Sequence, residues 1–110
     1  MTTVSTHVLD TSTGLPAAGM HVTASGPGGQ LGEGVTDDDG RLRPLVDDAA
    51  AAALGDGPLT VRFATGPWAA ERGRESFFPE VVLVLDPAGA EHLHVPLLLS
   101  PFAYSTYRGS

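Results

Sequence analysis

The chain has 110 residues, no cysteine, 42% hydrophobic residues and a formal net charge of −7 at pH 7. That length fits a single domain over 1–110 with a modest core, and the apolar content is too high for a disordered chain. The acidic balance argues against nucleic-acid binding, the missing cysteines exclude disulfide and thiolate chemistry, and no apolar run approaches the ~18 residues of a membrane span.

The N-terminus MTTVSTHVLD has neither the basic start nor the apolar stretch of a secretory signal, so a cytoplasmic protein is expected. STHVLD at 5–10 alternates as a strand, and Gly14-Leu15-Pro16 marks the turn after it. MHVTAS at 20–25 is a second strand, closed by Gly26-Pro27-Gly28-Gly29. QLGEGVT at 30–36 reads as a weaker third, ended by the acidic turn Asp37-Asp38-Asp39-Gly40. A short fourth follows over 41–45. Asp47-Asp48 before five alanines has the look of a capped helical turn, but Gly55 and Gly57 soon stop it, so a loop with at most one turn is expected.

LTVRFAT at 59–65 is a clear strand, and WAAERGRES at 68–76, after Pro67, is the best helix candidate. VVLVLD at 81–86 is β-branched and apolar, and segments 91–99 and 102–107 flank Ser100-Pro101 as a terminal hairpin. About eight short strands separated by turns, with one short helix, indicate an all-β two-sheet sandwich.

Period-two alternation in EHLHVPLLLS puts Leu93, Val95, Leu97 and Leu99 on a core face and His92, His94, Pro96 and Leu98 on the other. A hairpin centred on Ser100-Pro101 would set His94 opposite Tyr107. His7 lies mid-strand in STHVLD, and Arg41 follows the Asp-Gly turn. Neutral imidazole accepts a proton near pH 7, whereas guanidinium serves only as a cation and fork donor. Plainer readings stand beside these: mid-strand histidines are commonly surface residues, Arg41 could be solvated, and Arg43 competes for its role. His-x-His with His7 as a third ligand could bind zinc. His21 reads as a strand-surface residue, and the Asp37-Asp38-Asp39 run as a solvated turn.

STHVLD followed by GLPAAG, DGR at 39–41, SFFPEV at 76–81 and HLHVPLLLSPFAYSTYRGS at 92–110 together resemble the 5-hydroxyisourate hydrolases, transthyretin-related enzymes of urate degradation. The resemblance spans essentially the whole chain. It implies the transthyretin-like β-sandwich and a homotetramer, a dimer of dimers whose sheet faces enclose a channel. It implies hydrolysis of the small molecule 5-hydroxyisourate to 2-oxo-4-hydroxy-4-carboxy-5-ureidoimidazoline, with no cofactor and no metal.

Matching the motifs assigns His7, Arg41, His94 and Ser110 to catalysis, and His7, Arg41 and Tyr107 to substrate binding. In the roles this suggests, His7, supported by His94, activates water and later protonates the leaving nitrogen, with the two histidines open to exchange. Arg41 stabilises developing charge, while Tyr107 and Ser110 orient the ring. The alternative is a non-catalytic small-molecule carrier of the transthyretin type.

Overall fold

Alternation decides which side of each strand is buried. The structure is a computed structural model that describes residues 2–55 and 57–109. In β1 (Thr3–Asp10) the inward set is Val4, Thr6 and Val8, while Thr3, His7 and Leu9 are only partly covered. β2 is the two-residue strand Leu15–Pro16, and β3 (His21–Gly26) and β4 (Gly29–Val35) form a hairpin. β5 (Arg41–Val46) follows the acidic turn, β6 is Leu59–Phe63 and β7 is Val81–Leu85. β8 (His92–Leu99) and β9 (Tyr104–Thr106) close the chain.

Two sheets result. In the first, β1 pairs with β2 and β5 on one side and runs parallel to β8 on the other, with β9 at the far edge. The second has the order β4-β3-β6-β7, all antiparallel. The core between them holds Val4, Val8, Val22, Val61, Phe63, Val81, Leu93, Val95 and Leu97. Phe63 is among the largest fully buried side chains, so its truncation to alanine would cost about 3–5 kcal/mol. Thr6 is also fully buried, and its hydroxyl donates to the Val95 carbonyl at 2.6 Å, which ties the first strand to the eighth.

Two details differ from the sequence reading, while the single helical turn after Asp47 is as expected. The alanine-rich segment forms a short helix, α1 (Asp48–Ala51), because the Asp47 side chain caps the Ala50 amide at 2.9 Å. The second helix, α2 (Thr65–Glu71), starts earlier than 68 and ends well before 76. Thr65 donates its hydroxyl to Phe78 O and Gly66 its amide to Pro79 O, which docks the start of the helix, and Gly73, at φ 65°, follows its end.

The hairpin register is the second difference. Leu99 pairs with Tyr104 and Leu97 with Thr106, two places from the expected match. Ser100 binds the Ala103 carbonyl through both its amide and its hydroxyl, and Pro101 O accepts the Phe77 amide, so the connection spans four residues, 100–103. His94 therefore pairs with Gly109 across an isolated bridge, and Tyr107 lies two residues short of that position.

Candidate active site

The two neighbours of β1 assemble the site. Parallel pairing with β8 sets Thr3 beside His92 and Ser5 beside His94, while antiparallel pairing with β5 sets His7 beside Arg41. Because side chains alternate, Thr3, Ser5 and His7 share the face that His92, His94 and Arg41 occupy. The β1–β5 register shifts between Val4 and Thr6, and Arg43 and Pro44 stand exposed in that irregular stretch.

The acidic turn supplies the precision. Asp37 Oδ1 accepts the Asp39 and Arg41 amides, each at 2.9 Å, and Gly40 N donates to Asp37 O. These amides, that of Arg41 foremost, hold the Asp37 carboxyl below its ordinary value. Gly40 has φ +75°, and a Cβ there would lie 2.3 Å from the Val8 carbonyl, so only glycine fits. The turn delivers Arg41 into register and leaves the Asp39 carbonyl 2.9 Å from His7 Nε2. A carbonyl only accepts, so Nε2 carries the hydrogen and the neutral His7 ring keeps Nδ1 as its acceptor.

His94 is half-buried, with Nδ1 2.8 Å from the Ser5 hydroxyl. Burial, followed by the positive charge of Arg41, of His7 and His92 when protonated, and of Arg43, pushes its pKa below the ordinary imidazole value. It is thus neutral at pH 7, the form that can take a proton. An open cleft of about 680 Å³ runs past Ser5, Arg41, Arg43, His92 and His94, with Asp47 and Asp48 also on its lining.

Arg41 and His94 thus meet in one cleft. His7 adjoins Arg41 in register but does not line that cleft. Tyr107 is 59% exposed and borders a separate hollow of about 200 Å³, shared with His94 and Arg108. Ser110 lies outside the described residues. His7 and the His-x-His pair do not converge as ligands: among the described residues no group of three or more His, Cys, Asp or Glu could hold a metal ion. His21 is a surface residue, 3.1 Å from Glu33.

Sequence reasoning gave no role to Ser5 or Gly109, and His92 only that of a candidate zinc ligand. Alternation had already put His92 on the same face as His94, but the hydroxyl between the two rings depends on the β1–β8 register, which no local pattern encodes. Gly109 donates its amide to His94 O at 2.9 Å, and a Cβ on it would lie 2.6 Å from His94 Cδ2.

A two-sheet sandwich with a polar His/Arg cleft on the outer face of one sheet is the class these features define. The chain belongs to the HIUase/Transthyretin family, whose model matches residues 4–109. It is 42% identical to a 5-hydroxyisourate hydrolase of Salmonella dublin, over 97% of this chain and 80% of the relative. With the mouse 5-hydroxyisourate hydrolase it shares 40% identity, over 97% and 94% of the two chains. The solved 5-hydroxyisourate hydrolase of Klebsiella pneumoniae superposes with a TM-score of 0.86 at 41% identity, covering 98% of this chain and 99% of that one. Sea bream transthyretin in complex with thyroxine superposes at 0.84 and 29% identity, covering 96% and 93%.

Proposed function

We propose that this chain is a hydrolase that opens the lactam ring of 5-hydroxyisourate with water, giving 2-oxo-4-hydroxy-4-carboxy-5-ureidoimidazoline. The observation that carries this reading is an imidazole, His94, held by Ser5 in the same cleft as the permanent cation Arg41. Relatives named for that activity, at about 40% identity over nearly the whole chain, support it.

His94 acts as the base. With Nδ1 engaged by Ser5, its Nε2 takes a proton from water as the water oxygen adds to the lactam carbonyl carbon. Arg41 stabilises the oxyanion that forms. The ring C–N bond then breaks, and the departing nitrogen takes a proton back from Nε2. His7 stands beside Arg41 but outside the cleft, so it positions Arg41 and does not serve as the base. Tyr107 and Ser110 bind the ring. No cofactor and no metal enters the scheme.

The working form is a homotetramer, a dimer of dimers. Its support is apolar surface on two edge strands, Val82 and Val84 of β7 and Tyr104 of β9, which a monomer leaves exposed. Static light scattering checks the mass. The reaction belongs in the cytoplasm; among the described residues no helix is long and apolar enough to cross a membrane.

The competing carrier reading draws on the likeness to transthyretin. A carrier has no use for a base beside a cation, and the lower identity to transthyretin weighs against it. Ultraviolet absorbance of freshly generated 5-hydroxyisourate separates the two. Decay accelerated far above the spontaneous rate supports the hydrolase, and an unchanged rate together with saturable thyroxine binding supports the carrier.

A further inference from the structure

Behind His94 lies a continuous chain of hydrogen-bonding groups. Its Nδ1 is 2.8 Å from Ser5 Oγ, which is 3.0 Å from His92 Nε2, and His92 Nδ1 is 2.7 Å from Thr3 Oγ1. Thr3 Oγ1 also reaches the Glu91 carbonyl at 3.3 Å. The carbonyl can only accept, which gives the chain a direction. Thr3 donates to Glu91, His92 donates through Nδ1 to Thr3, Ser5 donates to His92 Nε2, and His94 donates through Nδ1 to Ser5. His94 Nε2 is left bare, as a base requires.

The burial gradient along this chain is also directed. His94 is half-buried, Ser5 is buried and His92 is exposed. A positive charge on His94 would stand against Arg41 and Arg43 of β5 and His7 of β1, with Arg108 across the neighbouring hollow. The opposing carboxylates are Asp47 and Asp48 on the cleft lining and Asp86 by that hollow, and the phenol there is Tyr107. Burial and these cations outweigh the carboxylates, since charge on His94 is disfavoured overall. Moving the charge to an exposed ring relieves the burial.

We propose that Ser5 and His92 form a proton relay behind His94, so that the charge created when His94 takes a proton from water comes to rest on His92. As Nε2 of His94 gains the proton, its Nδ1 proton passes to Ser5 Oγ and the Ser5 proton passes to His92 Nε2. His94 is then neutral and His92 carries the charge. The same transfers run backwards when His94 Nε2 protonates the departing nitrogen, so no proton is gained or lost over the cycle. His92 and Ser5 are positioning residues in this scheme, and the scheme rests on the hydrolase reading above.

Ser5→Ala, His92→Gln and the double variant test it, in kinetics and in substrate-free nitrogen-15 NMR of the histidine rings. Glutamine can still hydrogen-bond to Ser5 but cannot titrate. The relay predicts that His92→Gln lowers kcat about 10- to 100-fold with KM little changed. It also predicts that the double variant is no slower than Ser5→Ala. In the NMR titration, Ser5→Ala should move the curves of both His92 and His94. Wild-type kcat in His92→Gln, or ring titrations that ignore Ser5→Ala, would overturn the relay. An inactive wild type would overturn the hydrolase reading instead, and the NMR result would still decide the relay.

Discussion

Gly109 and His94 touch so closely that no side chain fits between them: a Cβ on Gly109 would sit 2.6 Å from His94 Cδ2 and 3.1 Å from its carbonyl oxygen. Gly109 thus braces the imidazole that the cleft depends on. Gly109→Ala forces the ring or the terminus to shift. Displacing a reacting group by about 1 Å can cost ~100-fold in rate. We expect kcat to fall by about that factor with melting temperature unchanged, which kinetics and calorimetry on one sample check. A wild-type rate would mean the contact has no bearing on the reaction.

Arg41→Ala removes the cation meant for the developing oxyanion. The loss of such a donor typically lowers kcat about 100- to 1000-fold. Arg41→Lys should recover only part of it, because an ammonium lacks the planar fork. Initial rates at saturating substrate measure both.

The pKa of His94 lies below the ordinary imidazole value, through burial first and then neighbouring positive charge. The acid limb of kcat/KM therefore falls at a lower pH than an unperturbed imidazole would give. The same shift bears on stability. The folded state binds the proton less readily than the unfolded chain, so His94 has no stability cost above about pH 6.5, and stability declines as pH falls below it. A pH–rate profile and melting curves between pH 7 and 5 test the two halves separately.

Arg74 supplies a control remote from the cleft. Its guanidinium binds the buried Asp10 carboxylate and lies over the Trp68 ring. Burial alone would raise the Asp10 pKa, but hydrogen bonds from Ser12 and Arg74 outweigh it and hold the group below its ordinary value. Arg74→Ala leaves the carboxylate short of a charged partner and should cost about 2 kcal/mol. Thermal unfolding should then drop by roughly 5–10 °C. Activity at 25 °C should stay near wild type, because no cleft residue is touched.

Local pattern carried most of the fold. Alternation in 92–99 separated the leucine face from the histidine face, and β8 buries the leucines at 93, 97 and 99 as that pattern requires. What needed non-local information was less legible. The hairpin turn depends on Ser100 capping Ala103 and on Phe77 reaching back to Pro101, so the 94–107 pairing became 94–109. The helix over 65–71 starts where Thr65 and Gly66 bond to 78 and 79, contacts that propensity cannot see. At the site, the motifs marked Arg41 and His94. The Ser5 hydroxyl that links His92 to His94 emerged only from the parallel β1–β8 register, and the use of the acidic turn to hold His7 only from the Asp39 carbonyl.

The most direct test is the decay of freshly generated 5-hydroxyisourate at pH 7, followed by ultraviolet absorbance with the wild type and His94→Ala side by side. A fast wild-type decay that falls to near the spontaneous rate in the variant is the expected result. Equal rates in the two proteins, whether both fast or both spontaneous, would contradict His94 as the base of a hydrolase.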